Sequence, residues 1–267
     1  CMAALWIKEH YGQNVSMLVM PADHIIQDQK EFALKVTHAL KLTNTKPSHL
    51  VTFGVKPQSA DTGFGYIEAG KALTNGFEVA HFYEKPDLKT AEEFFRSERL
   101  FWNSGIFCFN VDQFLNELAV HSPEVLEHAE NSWHACSKTQ SVDCSKIEIP
   151  LVPFNKCPNI SIDYALMEKS KRVSVIPVDF EWSDIGSWLA LGDLQSPDEN
   201  GNRIQGEAET HNTYNCTIHS QNRMVGTVGV SNLVIVDTPD AHAEDMSIFA
   251  GDLANRDNLF LQRLYVD

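Results

Sequence analysis

The sequence predicts an α/β protein, with strands of a parallel sheet alternating with helices and a small all-β domain behind them. Three observations carry this reading. Apolar runs stop abruptly at turns that hold a carboxylate: Met17-Leu-Val-Met20 ends at Pro21 with Asp23 beyond it, and Val173 to Asp179 is followed by Asp184. Helical stretches opened by capping residues lie between such runs. After Ser196 this alternation gives way to short β-branched pieces separated by turn residues.

Met2 to His10 reads as the end of a helix stopped near Gly12, and Val15 to Met20 as a strand. A uniformly apolar run such as Met17 to Met20 is the pattern of a strand buried in a parallel sheet. Ligands of open α/β sheets sit beyond the carboxyl ends of strands, so Asp23 either meets a metal or phosphate or caps its loop. Asp28 caps a helix to about Leu42, and Leu50 to Gly54 is the next strand. The two glycines of Thr62-Gly-Phe-Gly-Tyr-Ile-Glu68 mark either a hairpin turn or a loop whose backbone closely approaches a partner.

Val79 to Tyr83 alternates as a strand does and delivers Glu84 and Lys85 to its end, as site residues or as a surface ion pair. Asp87 then opens a helix to about Arg96. Phe101 to Asn110 has a polar entry, Asn103 and Ser104, before another strand, with helices following at Val111 to Val120 and Pro123 to about Ala135. Ser122 is positioned to cap the second of these, with Pro123 in its first turn. His134 to Pro158 is loop-like, and Ser161 to Lys169 reads as a helix with Ser161 or Asp163 at its N-terminus. Trp182-Ser-Asp-Ile-Gly-Ser-Trp188 repeats the opening geometry, a strand and then Asp184 in a turn. The domain boundary falls at 195/196, and residues 196–267 form a small β-solenoid or sheet domain with no strict hexapeptide period.

Bulk properties restrict the function. The chain has 267 residues, 43% hydrophobic and 21% charged, with 36 acidic against 21 basic residues and a net charge of −15. That balance argues against nucleic-acid and anionic membrane surfaces, while leaving room for anionic small molecules held by a few cations or a divalent metal. The longest apolar runs fall short of a membrane span and no signal-peptide pattern is visible, so a cytoplasmic protein is expected. Six cysteines form no C-x-x-C pair, and the spacing of Cys136, Cys144 and Cys157 fits no usual zinc pattern. The chain opens at Cys1 in what looks like the middle of a helix, which suggests a fragment whose natural N-terminus is missing.

Several stretches together resemble the mannose-1-phosphate guanylyltransferase (GDP-mannose pyrophosphorylase) family. They are Leu18-Val-Met-Pro-Ala-Asp-His24, Gly63-Phe-Gly-Tyr-Ile67, Tyr83-Glu-Lys-Pro86, Trp102-Asn-Ser-Gly-Ile-Phe107, Ser161 to Lys169, Trp182 to Trp188, and Asn232 to Ala241. They occur in the family's order from about Met2 to Ala241. The resemblance implies a Rossmann-like nucleotidyltransferase sheet, incomplete at its N-terminus, followed by a small left-handed β-helix domain. It implies synthesis of GDP-mannose and pyrophosphate from GTP and mannose 1-phosphate, with Mg²⁺ as cofactor.

By the same resemblance Asp23 and Asp184 are magnesium ligands and Lys85 contacts the sugar phosphate. Glu84 accepts hydrogen bonds from mannose hydroxyls, and Asn103 and the backbone at Gly65 complete the sugar pocket. Asp163 either orients this site or only caps its helix. Two departures stand out: the family's Gly-rich, Arg- and Lys-bearing phosphate loop has no counterpart here, and the tail from His242 to Asp267 does not match. The fragment alone is therefore expected to be inactive, since it lacks those phosphate-binding N–H groups and cations. Another sugar-nucleotide pyrophosphorylase, or a non-catalytic sugar-phosphate-binding or assembly subunit, remains an alternative. A following phosphomannose isomerase domain is left open, and an exposed end of the β-domain offers a surface for a homo-oligomer.

Overall fold

The computed structural model describes residues 1–12, 14–136, 147–238 and 248–249. Cys144 and nearly all of the divergent tail lie outside the described residues. In order, the elements are α1 (Met2–Tyr11), β1 (Ser16–Val19), β2 (Ile25–Ile26), α2 (Gln29–Thr43), β3 (Leu50–Val55), β4 (Tyr66–Leu73), β5 (Gly76–Tyr83), α3 (Leu88–Phe95), β6 (Leu100–Asn110), α4 (Val111–His121), α5 (Pro123–Ala135) and α6 (Leu151–Phe154). A π-helical turn (Asp163–Met167) follows, then β7 (Val173–Val178), β8 (Trp182–Ser183), α7 (Trp188–Asp193), β9 (Arg203–Gln205), β10 (Ala208–His211), β11 (Thr217–Ser220), β12 (Val225–Val228), β13 (Val234–Asp237) and β14 (Ile248–Phe249). Among the described residues no helix is long and apolar enough to cross a membrane.

The chain divides into two compact units, one of residues 1–22 and 26–182, the other of 23–25 and 183–267. The first is built on a six-stranded sheet in the order β1-β6-β3-β7-β5-β4, with a further pairing of β6 to β4. β3 is buried throughout because both faces of the sheet are covered. Leu50, Phe107, Phe109 and Val173 pack with Ala4 and Leu5 of α1 and with Phe114, Leu115 and Leu118 of α4. Val51, Phe53, Ile106 and Ile176 pack with Ala39 and Leu42 of α2 and Ala91 of α3. Full burial of a large apolar side chain contributes about 1.5–3 kcal/mol, so this double-faced core dominates the unit's stability.

Several details differ from the sequence expectation. β1 is an edge strand antiparallel to β6, with Leu18, Val19 and Met20 exposed, so its apolar run does not mark a strand buried in a parallel sheet. Only β3 and β7 run parallel in this sheet, from Leu50↔Val173 to Val55↔Val178. The reason is the 11-residue β6, which runs antiparallel to β1, β3 and β4 and so reverses the sheet's sense around them. Ser122 stands at the N-cap position of α5 with Pro123 in the first turn, as expected, but its hydroxyl makes no capping bond and donates instead to the carbonyl of Ala165 at 2.6 Å, tying the α4–α5 junction to the π-helical turn. The stretch read as loop-like from His134 to Pro158 contains the end of α5 and all of α6.

Within the second unit β9 to β13 stack as parallel coils in a β-helix-like arrangement, and β14 pairs antiparallel with β13. Ala208 pairs with Val225, Tyr214 with Ser231 and Thr217 with Val234, while a shorter coil places Arg203 beside Thr217. The corners are made by residues with positive φ, Asn212 and Gly229 at one and Asn215 and Asn232 at another, residue types that tolerate the left-handed region. Inside the coil the hydroxyls of Thr213 and Thr227 bond each other at 2.9 Å, and the Asn202 side chain bridges the Thr213 carbonyl and the Cys216 N–H.

Candidate functional site

The first unit brings Gly65, Glu84, Asn103 and Asp163 together through one irregularity in the sheet. Between the pairs Thr52↔Phe107 and Gly54↔Asn103 the register slips, because β6 spends four residues where β3 spends two. Gly105 takes φ 69° there, and Ser104 donates to the Phe53 carbonyl at 2.7 Å and accepts from Ile106 N–H at 3.2 Å. Such bulges turn a side chain away from the ladder. Here the side chain is Asn103, whose Nδ2 donates to Asp163 Oδ1 at 3.0 Å and whose Oδ1 accepts from Gly105 N–H and the Thr52 hydroxyl, each at 3.3 Å.

Gly65 lies across from this amide, its carbonyl accepting from Asn103 N–H at 2.8 Å. A Cβ at Gly65 would stand 2.9 Å from Glu84 Oε2 and 3.8 Å from Asn103 Cβ, so the absence of a side chain lets the carboxylate approach the backbone. Phe64 anchors the loop, its ring 4.8 Å from Trp102 and 5.5 Å from Trp182. Lys85 is exposed and holds φ 41° immediately before Pro86, a conformation a non-glycine residue rarely adopts. Strain of this kind collects at functional sites.

Three carboxylates define the electrostatics. Burial pushes the Asp163 carboxyl above its ordinary pKa, opposed by the hydrogen bond from Asn103. Glu168 is raised by burial first and then by the charges of Asp163 and Glu84, and the Tyr164 phenol is raised by burial and by the same three carboxylates. The patch therefore presents acceptors and negative potential, partly offset at Glu168 by the Lys169 ammonium, with Lys85 following Glu84 in sequence. A neutral polyhydroxyl ligand supplies the donors such a patch needs, and an anionic group on it needs Lys85 or another cation. Asp163 does not cap the π-helical turn, since its Oδ1 is taken by Asn103 and Ser161 Oγ accepts from Tyr164 N–H at 3.4 Å.

Asp23 and Asp184 belong together to the second unit. The Asp23 side chain is 85% exposed, with His24 Nε2 at 3.9 Å. Asp184 is half-buried and takes Gly186 N–H on Oδ1 at 3.2 Å, while a Cβ at Gly186 would lie 3.0 Å from Oδ2. The turn is tightened by Ser183 Oγ, which accepts from Ile185 N–H, and Ile185 is held at φ 47°, a genuine outlier for a β-branched residue. Among the described residues no group of three or more His, Cys, Asp and Glu side chains is arranged around a metal position. Two carboxylates still suit a hard cation such as Mg²⁺, which keeps several waters and phosphate oxygens in its shell.

Sequence reasoning noted Ser104 as polar without giving it a role in the site, and passed over Thr52, Gly105, Tyr164 and Glu168. Thr52 sits in a β-branched run where a threonine reads as strand filler. The Ser-Gly step inside an apolar strand was the available signal for a bulge.

Comparison with known proteins places the chain in a family. The Nucleotidyl transferase family model matches residues 1–201, and a MannoseP isomerase/GMP-like beta-helix domain matches residues 208–242. The mannose-1-phosphate guanylyltransferase of Klebsiella pneumoniae is 42% identical over 244 residues, which is 90% of this chain and 50% of that protein. An Escherichia coli protein of the same name is 41% identical over 244 residues, again 90% of this chain and 50% of its own. The chain thus spans about half the length of the curated relatives it matches. A crystal structure from Thermus thermophilus, described as a mannose-1-phosphate geranyltransferase, superposes with a TM-score of 0.76 at 28% identity, covering 90% of this chain and 67% of that one. The chain belongs to the nucleotidyl transferase family, and proteins named mannose-1-phosphate guanylyltransferase are similar to it over 90% of its length.

Proposed function

We propose that the complete protein transfers a guanylyl group from GTP to mannose 1-phosphate, giving GDP-mannose and pyrophosphate. The observation that carries this reading is the acceptor-rich cluster of Gly65, Glu84, Asn103 and Asp163, set in a chain whose relatives are named for that reaction. A sugar phosphate is already ionised near neutral pH, so no side chain has to remove a proton. Its oxygen bonds to the α-phosphorus of GTP while the bond to the β-phosphate oxygen breaks and pyrophosphate leaves. What the protein must supply is in-line placement and compensation of negative charge.

Glu84 and Asp163 accept hydrogen bonds from sugar hydroxyls, and the Nδ2 hydrogen of Asn103 that is not given to Asp163 donates to the ring. Lys85 neutralises a non-bridging phosphate oxygen, which a compact ammonium does well. Asp23 and Asp184 are the residues that would hold Mg²⁺, and when bound the ion supplies Lewis-acid stabilisation of the phosphoryl oxygens. A domain boundary at 195/196, cytoplasmic residence and self-association belong to the same proposal.

The test is steady-state kinetics on the complete protein. Glu84→Gln should raise KM for mannose 1-phosphate by about tenfold, the effect of weakening a charged hydrogen bond, with KM for GTP little changed. Absence of GDP-mannose synthesis by the unmodified protein, or an unaltered KM for mannose 1-phosphate in the variant, would overturn the reading.

A further inference from the structure

Asn103 offers a ligand a useful N–H only if its amide keeps one orientation. Its oxygen faces two donors, Gly105 N–H and the Thr52 hydroxyl, and its nitrogen faces the carboxylate of Asp163. Reversing the amide would set its NH₂ against a backbone N–H and its oxygen against a carboxylate, so the surroundings favour a single state. Gly105 N–H and the Thr52 hydroxyl each hold the oxygen with a long bond of 3.3 Å, so neither donor fixes it without the other. Thr52 is fully buried on β3, and it reaches Asn103 because the bulge in β6 turns the amide toward it. Its one hydroxyl proton is shared between Asn103 Oδ1 at 3.3 Å and the Ile106 carbonyl at 3.2 Å, so the same group ties the amide to the far side of the bulge.

We infer that Thr52 is a positioning residue for the sugar site, its hydroxyl fixing the Asn103 amide so that Nδ2 points to the ligand. The inference rests on the proposed function for its kinetic consequence but not for its structural one. Thr52 touches no substrate and acts only through Asn103.

Three variants of the complete protein separate the hydroxyl from packing. Thr52→Val keeps the shape and loses the hydroxyl, Thr52→Ala loses both hydroxyl and methyl, and Thr52→Ser keeps the hydroxyl. The Val and Ala variants should raise KM for mannose 1-phosphate about five- to tenfold, the effect of one lost hydrogen bond, with kcat and KM for GTP within about twofold of the parent. The Ser variant should match the parent. In ¹⁵N-asparagine-labelled protein, hydrogen exchange of the Asn103 side-chain amide should be slow in the parent and in Thr52→Ser, and faster in the other two by about the same factor. Unchanged Asn103 exchange in Thr52→Val and Thr52→Ala overturns the inference, as does a Ser variant as impaired as Val. If the parent makes no GDP-mannose the functional reading fails, and the amide exchange still decides the role of Thr52.

Discussion

Gly65 is the residue at which space and chemistry meet most tightly. Gly65→Ala puts a methyl 2.9 Å from Glu84 Oε2, and the carboxylate, being the end of a flexible side chain, gives way. The expected result is a folded protein with KM for mannose 1-phosphate raised about tenfold, read by initial-rate kinetics on the complete protein. Asp163 gives a prediction in stability. Burial raises its folded pKa above that of the unfolded chain, with Glu84, Glu168 and Tyr164 as the titratable groups around it. Its ionisation therefore opposes folding: the penalty is absent below the ordinary carboxylate range and fully present once pH exceeds the raised value. Asp163→Asn keeps an oxygen for Asn103 and removes the charge. Its Tm should exceed the parent's at pH 7, and the difference should shrink and vanish as pH falls below the ordinary carboxylate range. An equal or lower Tm at pH 7 would show that the carboxylate is not destabilising. At this scale the family words named Gly65, Glu84, Asn103 and Asp163, whereas Thr52 was illegible because its partner is 51 residues away and across a bulge no periodicity announces.

At the scale of elements, the bulge in β6 is the feature on which the site depends. It requires Gly54 on the facing strand to have no side chain, since a Cβ there would lie 2.7 Å from both Phe101 Cβ and Val175 Cγ2. Gly54→Ala should destabilise the first unit by about 1–3 kcal/mol through overpacking, measured by denaturant unfolding with an unchanged m value. In the second unit Gly192 on α7 plays the same part, a Cβ there standing 2.4 Å from Thr217 Cγ2. Long helices and several strands were legible from apolar periodicity and caps: α4 and β7 lie within a residue of their expected bounds, and Asp28 caps α2 through the N–H groups of Lys30 and Glu31, whereas β4 begins inside the stretch read as a turn or loop. Strand direction was not legible. An apolar run says that a strand is wanted inside, not which neighbour it pairs with, and β1 lies antiparallel at the sheet's edge. The π-helical turn also escaped, because its sequence carries the same apolar spacing as an α-helix.

At the scale of the whole molecule, the order of an α/β unit and a coil of short parallel strands was readable from the change in character after Ser196, although β9 and β10 went unrecognised for want of β-branched runs. Their coil is set by stacking of residues 17 apart, a spacing without a strict hexapeptide signature but marked by Asn and Gly at the corners. The two proposed metal ligands, Asp23 and Asp184, come from distant parts of the chain and fall in one unit, which fits a shared role. Guanylyl transfer to mannose 1-phosphate supported by those carboxylates is tested by magnesium-dependent turnover of the complete protein. GDP-mannose and pyrophosphate should form in equal amounts from GTP and mannose 1-phosphate, and Asp184→Asn should lower kcat by about a hundredfold or more with the fold intact by circular dichroism. Normal magnesium-dependent turnover by Asp184→Asn, or no GDP-mannose from the parent, would contradict it.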